Sequence, residues 1–490
     1  MARKEKYLID SNGIDKREIG YYSTPEFVAN FITDKMLEIK SDGNSVLDPC
    51  VGREELLKYF FDKDIECNGI DVFRHKESYK CNFIQKDFID FYSDKKTNVF
   101  FNNFEVLNYD YYIANPPYNC HEVDYIKNNK EFLKKIFDPI GVHNMYSMFI
   151  SSIIDCAKQD SIIGLLTYDS FLTSKAHENL RKKIISQCSI HYLVLCPTDL
   201  FLTQGADVRT CILILQKGKK NQNYIKTLNR PLNSSNFKKS LINDKFDIIE
   251  EHDLILNSKF DNNEIVVSLA SELRELFKNE RVGDKFKCIT GISTGNDSKY
   301  LSKEQSKDFK YPFYKNPGSR KFYTEPDAFL TTSFLEENLK IKNFMVRNKN
   351  LLFKEGITCS SMGVEFSACY LPPDSTFGVN ANIICSKNDI WWLLSYLNSS
   401  LVTYLVRGVL NRSNMITSGY VSRIPIPEID KSSKEILSDY AKEAYVEAKK
   451  NNSVNIILDK IDNLIFEIIS AKNTTREEIK NFNQNVIKLT

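Results

Sequence analysis

Asn115, Pro116, Pro117 and Tyr118 stand together after Y-Y-I-A, an apolar aromatic run that reads as the end of a buried strand. Proline donates nothing to a sheet ladder, so the strand must stop there, and a residue before proline is pushed away from helical geometry. The outcome is a stiff, extended corner that presents a side-chain amide, a free carbonyl and an aromatic ring. Such a corner suits one chemical problem. An amino group on a nucleobase is a poor nucleophile, because its lone pair is delocalised into the ring. Two acceptors in tetrahedral directions, the Asn115 side-chain oxygen and the Pro116 carbonyl, would draw the nitrogen out of the ring plane and raise its reactivity. Proline keeps both aimed, so the effect is preorganised. Tyr118 can stack on the base, a contact worth about 1–3 kcal/mol in single-strand binders. No general base is needed if the proton leaves as charge develops. Taken alone, the tetrapeptide reads equally well as a loop end without function.

Other polar residues fall at strand ends ahead of it. S-V-L-D-P-C-V-G-R-E-E-L-L-K-Y-F-F reads as a strand ending at Asp48, a turn and a helix. E-C-N-G-I-D-V-F ends in Asp71, and N-F-I-Q-K-D-F ends near Asp87. A strand, then D-P-x-x-G, then a helix makes a pocket for a nucleotide-like cofactor. Asp71, with Val72 beside it, sits where an acid would take two ribose hydroxyls. Asp87 can accept from an adenine amino group, and Phe88 can cover the adenine face. Each aspartate alone is as readily a cap or turn former; in order, ahead of the proline corner, they read as one site.

The elements that must hold these residues alternate. A helix over 24–40 starts with Thr24 as N-cap and Pro25 in the first turn, with Phe27, Val28, Phe31, Ile32 and Leu37 at helical spacing. Further helices are expected over 144–158 and 174–188, with strands at I-I-G-L-L-T-Y, H-Y-L-V-L-C and V-R-T-C-I-L-I-L-Q-K. Alternation of this kind predicts an α/β fold with a doubly wound, mostly parallel sheet, whose ligands sit at the carboxyl ends of the strands. After 217 the text changes. Residues 208–240 hold eight Lys or Arg and no Asp or Glu, and read as a last strand running into a linker. A helix is expected over 265–280. Strand-and-loop patterning with many turn signals follows from about 282, then helix over 390–408 and from about 432.

Composition constrains the rest. The 490 residues suffice for two or three domains, and 42% hydrophobic with 27% charged residues is ordinary for a soluble globular protein. A net charge of +2 names no partner. Twelve cysteines without C-x-x-C spacing and six histidines without H-x-x-x-H argue against a zinc site and for a reducing, cytoplasmic setting. No metal and no membrane contact are expected.

The motifs and their order resemble those of S-adenosylmethionine-dependent DNA amino-methyltransferases that methylate adenine N6, in the gamma order and of the type II modification kind. The resemblance covers nearly the whole chain. It implies a Rossmann-like methyltransferase sheet over 1–228, a linker and connecting helix over 229–281, a mixed α+β target-recognition domain over 282–430 and a helical C-terminal tail over 431–490. It implies S-adenosyl-L-methionine as cofactor. Y-Y-S-T-P-E-F-V resembles the first motif, so Tyr22, Thr24 and Pro25 would line the methionine moiety. L-D-P-C-V-G would contribute Asp48, Pro49, Cys50 and Gly52; Asp71, Asp87 and Phe88 match the ribose and adenine positions. Asn144 and Tyr146 would face the site from the following helix. Phe201 would sandwich a flipped adenine opposite Tyr118. One departure stands out: the family's second loop glycine is Glu54 here, which would sit at a helix N-terminus.

A base inside a duplex must be flipped out to reach such a pocket, at a few kcal/mol. Lys217, Lys219, Lys220, Lys226 and Arg230 are candidates for holding phosphates. Lys315, Asn316, Ser319, Arg320, Lys321, Arg347, Lys349 and Lys354 are candidates for base readout, with Asn411 and Arg412 in a DNA-facing loop before the closing segment 416–427. The expected partners are double-stranded DNA and a separately encoded restriction endonuclease, and the expected state is a monomer. No P-D…E-x-K nuclease arrangement is evident. The alternatives are an RNA adenine or protein-glutamine methyltransferase on the same fold, or a DNA specificity module without catalysis.

Overall fold

The computed structural model describes residues 22–97, 107–118, 124–206, 208–218, 224–363, 365–411 and 415–489. The chain divides into two compact units: one of residues 1–256 with 262–268, the other of 257–261 with 269–490.

The first unit is built on nine strands: β1 (Ser45–Asp48), β2 (Glu66–Asp71), β3 (Asn82–Gln85), β4 (Tyr111–Ala114), β5 (Ile162–Tyr168), β6 (Cys188–Leu195), β7 (Thr210–Lys217), β8 (Tyr224–Leu228) and β9 (Asp247–Glu250). Their order is β3-β2-β1-β4-β5-β7-β6-β8-β9. Strands β3 to β5 are parallel neighbours, so Asp48, Asp71 and Asn115 reach one edge. Strand β7 runs antiparallel to both β5 and β6. Strand β6 therefore points the same way as β5, and Phe201 follows it at the same edge.

The central strands β1, β4, β5 and β7 are buried on both faces, as a doubly wound sheet requires. Leu47, Tyr112, Ile163, Leu165, Leu213 and Leu215 join one core with the helix α3 (Met145–Cys156) and with Phe88 and Tyr92 of α2 (Phe88–Thr97). Val46, Tyr111, Ile113, Ile162, Leu166, Ile212 and Ile214 join the other with α1 (Glu26–Ile39). Val28, Phe31, Ile32 and Met36 of α1 are buried, each worth about 1.5–3 kcal/mol by removal from water. Gly164 on β5 makes room for that helix: a Cβ there would lie 2.3 Å from the Met36 sulfur and 2.6 Å from Ile32 Cγ2. This seat sets where the chain just before α1 must pass.

Several expectations change. Thr24 does not cap α1; Pro25 is the N-cap, and its carbonyl accepts from Val28 and Ala29. After the Asp48 turn only a short 3₁₀ turn, Leu57–Tyr59, forms in place of a helix. The stretch after 228 is no linker. It carries the helix Ser234–Ile242, capped by the Asn233 side chain, and β9, and it buries Phe237 against Phe27. The first unit's boundary thus lies at 256–268 rather than 228, and the helix near 270 spans only Ser271–Leu276.

The second unit has two four-stranded sheets. One orders Lys287–Ile289, Asn382–Ile384, Gly356–Cys359 and Ala368–Leu371; the other orders Leu301–Ser302, Ala328–Thr331, Phe309–Tyr314 and Thr376–Phe377. The expected helix over 390–408 is broken. Helix Lys387–Leu397 stops at Asn398, whose buried side chain bonds the Ala368 N–H and carbonyl, and the chain resumes as Ser400–Thr403 and a π-helical stretch, Tyr404–Leu410. Helices Lys431–Lys449, Asn455–Ile468 and Asn473–Leu489 follow. They belong to this unit's interior: Ser395 Oγ donates to the Leu437 carbonyl, and Leu437, Ile461, Ile465 and Ile479 are buried. Among the described residues, no helix is long and apolar enough to cross a membrane.

Candidate active site

Asn115 leaves β4 where the ladder ends. Its Nδ2 donates to the Tyr22 carbonyl at 2.9 Å and to Thr24 Oγ1 at 3.0 Å. A carbonyl can only accept, so this pair fixes which end of the amide is nitrogen. The other end, Oδ1, is buried and has no hydrogen-bond partner. A buried acceptor without a donor is costly, and here it belongs to the residue singled out for gripping an amine. The corner's prolines fall as the strand geometry requires, Pro116 buried and Pro117 half-buried.

Residues 22–25 run past this corner as a strap. Ser23 N–H donates to Gln204 Oε1 at 2.9 Å, and Gln204 Nε2 donates to the Ser23 carbonyl at 2.8 Å. Ser23 Oγ donates to Glu55 at 2.9 Å. The Thr24 hydroxyl serves Asn115 instead of the helix. The Tyr22 ring stacks on Tyr118, with centroids 5.9 Å apart and planes at 25°, and lies 6.1 Å from Phe201. Tyr22 therefore packs with the Tyr118 and Phe201 rings. Phe201 is fully buried and meets Tyr118 at 73°, edge-on rather than face to face. Tyr168, at the end of β5, packs on Tyr118 at 4.6 Å, and the Tyr118 hydroxyl donates to the Leu166 carbonyl at 3.3 Å. Burial holds the Tyr118 phenol far above its ordinary pKa, so the ring acts as a neutral surface.

On the other side of Asn115, Asp48 is 1% exposed and bonds the Cys50 amide at 3.0 Å. Burial pushes its carboxyl up to about 8, and the nearby Asp71 and Glu55 charges add to the rise. The Asn115 backbone amide bonds the Cys50 thiol, whose pKa burial raises. Asp71 Oδ2 accepts from Gly52 N–H at 2.9 Å and Oδ1 from Phe73 N–H at 3.0 Å, and His75 Nε2 lies 3.6 Å from Oδ1. Val72 and Phe73 beside it are 50% and 41% exposed, an apolar lip at the strand end. Asp87 bonds the Ile89 N–H at 2.7 Å, capping α2, and also accepts from Tyr125. The Phe88 ring lies in the core, 5.3 Å from Phe149. Glu54 sits at no helix terminus. Its φ is 68°, and its carboxylate turns to the amides of Lys80 and Cys81.

Asn144 and Tyr146 converge on His177, each 3.0 Å from Nε2. Burial, with the charges of His143 and Arg181, lowers the His177 pKa to about 3, so the ring is neutral. Tyr146 also packs on Tyr168 at 5.5 Å, and this network buttresses Tyr118 from behind.

The basic candidates divide. Because β7 runs backwards, Lys217 falls at the sheet edge opposite Asn115, and its ammonium bonds the Ile154 carbonyl and Gln187. Lys219, Lys220 and Arg412 lie outside the described residues. Arg230, half-buried, pairs with Asp169 and bonds the Cys196 carbonyl, and Lys226 pairs with Asp244. In the second unit Asn411 is fully buried and bonds the Met415 carbonyl, and Lys321 bonds Glu365 and the Asn398 carbonyl. Lys315, Ser319, Arg320, Arg347, Lys349 and Lys354 are exposed. Arg320 bonds Thr324, and Lys315 pairs with Asp297 beside a cavity of about 350 Å³. Sequence reasoning missed Gln204, Glu55, Tyr125 and Tyr168. Tyr168 was findable as a strand-end aromatic beside β4; nothing local distinguishes Gln204.

Comparison with known proteins fits this geometry. A curated Methanocaldococcus jannaschii protein, described as a type II restriction enzyme and methyltransferase, is 22% identical over 390 residues, which is 77% of this chain and 30% of that protein. The chain thus spans about a third of that relative's length. Among solved structures, a nuclease-deletion mutant of the Type ISP restriction-modification enzyme LlaGI, in complex with a DNA substrate mimic, aligns with a TM-score of 0.56 at 12% identity, over 86% of this chain and 54% of that one. The DrdV–DNA complex aligns with a TM-score of 0.54 at 12% identity, over 88% and 58%. At such identities these likenesses concern the fold. The N-6 DNA Methylase family matches residues 5–271, more than half of the chain, and with the proline corner and the strand-end aspartates in place the chain belongs to that family.

Proposed function

We propose that the chain methylates DNA, moving a methyl group from S-adenosylmethionine to N6 of an adenine turned out of the duplex, as the modification activity of a restriction-modification system. The observation that carries this reading is the Asn115 amide, its nitrogen held by Tyr22 and Thr24 and its oxygen buried without a donor. An exocyclic amine is the donor that oxygen lacks. Asn115 Oδ1 takes one amino hydrogen and the Pro116 carbonyl the other; the nitrogen becomes pyramidal, and its surplus proton leaves past these acceptors as charge develops. The rings of Tyr118, Tyr22 and Phe201 pack together beside this amide and would supply the aromatic contacts to the base once Tyr22 gives way.

The residues present fit the cofactor. A fully buried carboxylate with a raised pKa, as at Asp48, is a group that a cationic ligand satisfies. Asp48 would hold the cofactor's ammonium, Asp71 the ribose hydroxyls, and Val72 with Phe73 the purine edge. When bound, S-adenosylmethionine supplies an electrophilic methyl group. The cost of extruding the base, a few kcal/mol, falls to contacts with DNA, for which the exposed cations of the second unit are candidates.

Incubating the chain with unmodified DNA and S-adenosylmethionine, followed by modified-base sequencing, tests the reading. N6-methyladenine in one sequence context is the expected product. Asn115→Ala should keep cofactor binding and lose transfer by about a hundredfold or more, in line with removal of a preorganised hydrogen-bonding group. Transfer at the wild-type rate by that variant would overturn the reading.

A further inference from the structure

Glu54 occupies the place where the resemblance leads one to expect glycine, and it adopts the backbone that glycine would. Its φ is 68°, a left-handed conformation rare for a side chain of this size. Two residues earlier Gly52 has φ 51°. Something must hold a glutamate in that shape. Its carboxylate is 3% exposed, and one oxygen accepts from two successive amides, Lys80 at 2.7 Å and Cys81 at 2.9 Å. The other oxygen pairs with Lys76. Burial alone would raise the carboxyl pKa, but the bonds from Lys76, Cys81 and Lys80 hold it below the usual range.

A second set of ties runs beside the first. Tyr79 donates its hydroxyl to the Gly52 carbonyl at 3.0 Å and accepts the His75 N–H at 2.9 Å, while Gly52 N–H reaches Asp71 at 2.9 Å. Val51 and Cys81 close over Gly69, where a Cβ would lie 2.9 Å from either side chain. Tyr79 in turn stacks on Phe83 of β3 at 4.0 Å. The 51–54 turn and the 71–81 stretch are therefore fastened at several points, on the flank that carries Asp48 and Asp71.

We infer that Glu54 is a positioning residue that takes over from the absent glycine: its carboxylate, anchored on the Lys80 and Cys81 amides, welds the 51–54 turn to the 71–81 stretch as one wall of the cofactor site. In a loop with glycine at 54, the backbone adopts the left-handed turn freely. Here the turn is enforced from the side by charge-assisted hydrogen bonds. The inference rests on the reading of this sheet edge as the S-adenosylmethionine site.

Calorimetric titration of S-adenosylmethionine into the full chain, with hydrogen exchange at Lys80 and Cys81, tests it. Glu54→Gly is at ease at this φ yet lacks the anchor. It should weaken binding about tenfold or more, speed exchange at both amides, and leave kcat at saturating cofactor near wild type. Glu54→Gln, which keeps one acceptor, should lose less, and it also serves if the glycine variant does not fold. Lys76→Ala leaves the carboxylate on its amides and should stay within about threefold. Glycine or glutamine variants that bind as tightly as wild type would overturn the inference, as would a Lys76→Ala loss equal to that of Glu54→Gly. A wild-type chain that binds no S-adenosylmethionine would overturn the proposed function and this inference with it.

Discussion

Gln204→Ala isolates the strap from the chemistry. Gln204 touches neither Asn115 nor Tyr118 in the hydrogen-bond pattern, but its amide pairs with both backbone groups of Ser23, at 2.9 and 2.8 Å. Each such bond contributes about 0.5–1.5 kcal/mol net. The pair together contributes about 2 kcal/mol, since Gln204 is half-buried and water competes only in part. Removing it multiplies the detached fraction of the strap about thirtyfold, at 1.4 kcal/mol per decade. The Asn115 bonds to Tyr22 and Thr24, the Ser23–Glu55 bond and the Tyr22 ring contacts then hold the segment. Amide exchange at Ser23 should accelerate by that factor, while amides in β4 and β5 keep wild-type protection. Transfer should slow, because a loosened Tyr22 carbonyl no longer orients the Asn115 amide, whereas the midpoint of global unfolding should hardly move. Gln204→Glu can accept from Ser23 but not donate to it, and should fall between the two. Unchanged Ser23 exchange in Gln204→Ala would refute the strap as a held element, and faster exchange with unaltered transfer would refute its link to Asn115.

Two further outcomes follow from buried charges. Arg230→Ala leaves Asp169 fully buried without its guanidinium partner, which should cost about 3–5 kcal/mol by denaturant unfolding; the double change Arg230→Met with Asp169→Asn should recover most of it. Asp48, with its folded pKa raised to about 8, keeps a proton in the folded chain that the unfolded chain gives up near pH 4. Its contribution to stability is therefore whole below pH 4 and is lost as pH rises from there through about 8. Cofactor affinity should run the other way, rising between about pH 6 and 8 as the carboxyl ionises to meet a cationic ligand. Near pH 7, calorimetry in buffers of different ionisation enthalpy should show about one proton released on binding, and none for Asp48→Asn.

Local pattern revealed much of the first unit. The run I-I-G-L-L-T-Y is β5 from end to end, and each strand-end aspartate lies where its apolar run stops. Direction and long-range ties were not legible. Nothing in V-R-T-C-I-L-I-L-Q-K says that the strand is inserted backwards between β5 and β6, and that reversal carries Lys217 to the far edge. The spacing of E-E-L-L-K-Y-F-F is helical, but Glu54 is drawn to amides 26 and 27 residues away, and only a short 3₁₀ turn survives. The Asn- and Ser-rich text after 228 looks like a linker because polar residues crowd it; Phe237 and Leu241, one helical turn apart, are nonetheless buried. Within the site, the rings were legible as residue types, whereas their mutual tilt, with Tyr22 parallel to Tyr118 and Phe201 across it, depends on packing that no single segment encodes.

The bond between Asn115 and Pro116 has a consequence for the protein's lifetime. Asparagine ages chiefly when the next residue's backbone nitrogen attacks the side-chain amide, and that attack needs an N–H which proline does not have. A carboxylate at 115 would face the Tyr22 carbonyl, acceptor against acceptor, and the tie between corner and strap would be lost. The same ring that stiffens the corner thus shields it from spontaneous deamidation, so preparations stored for weeks should lose activity through changes elsewhere in the chain before this amide decays.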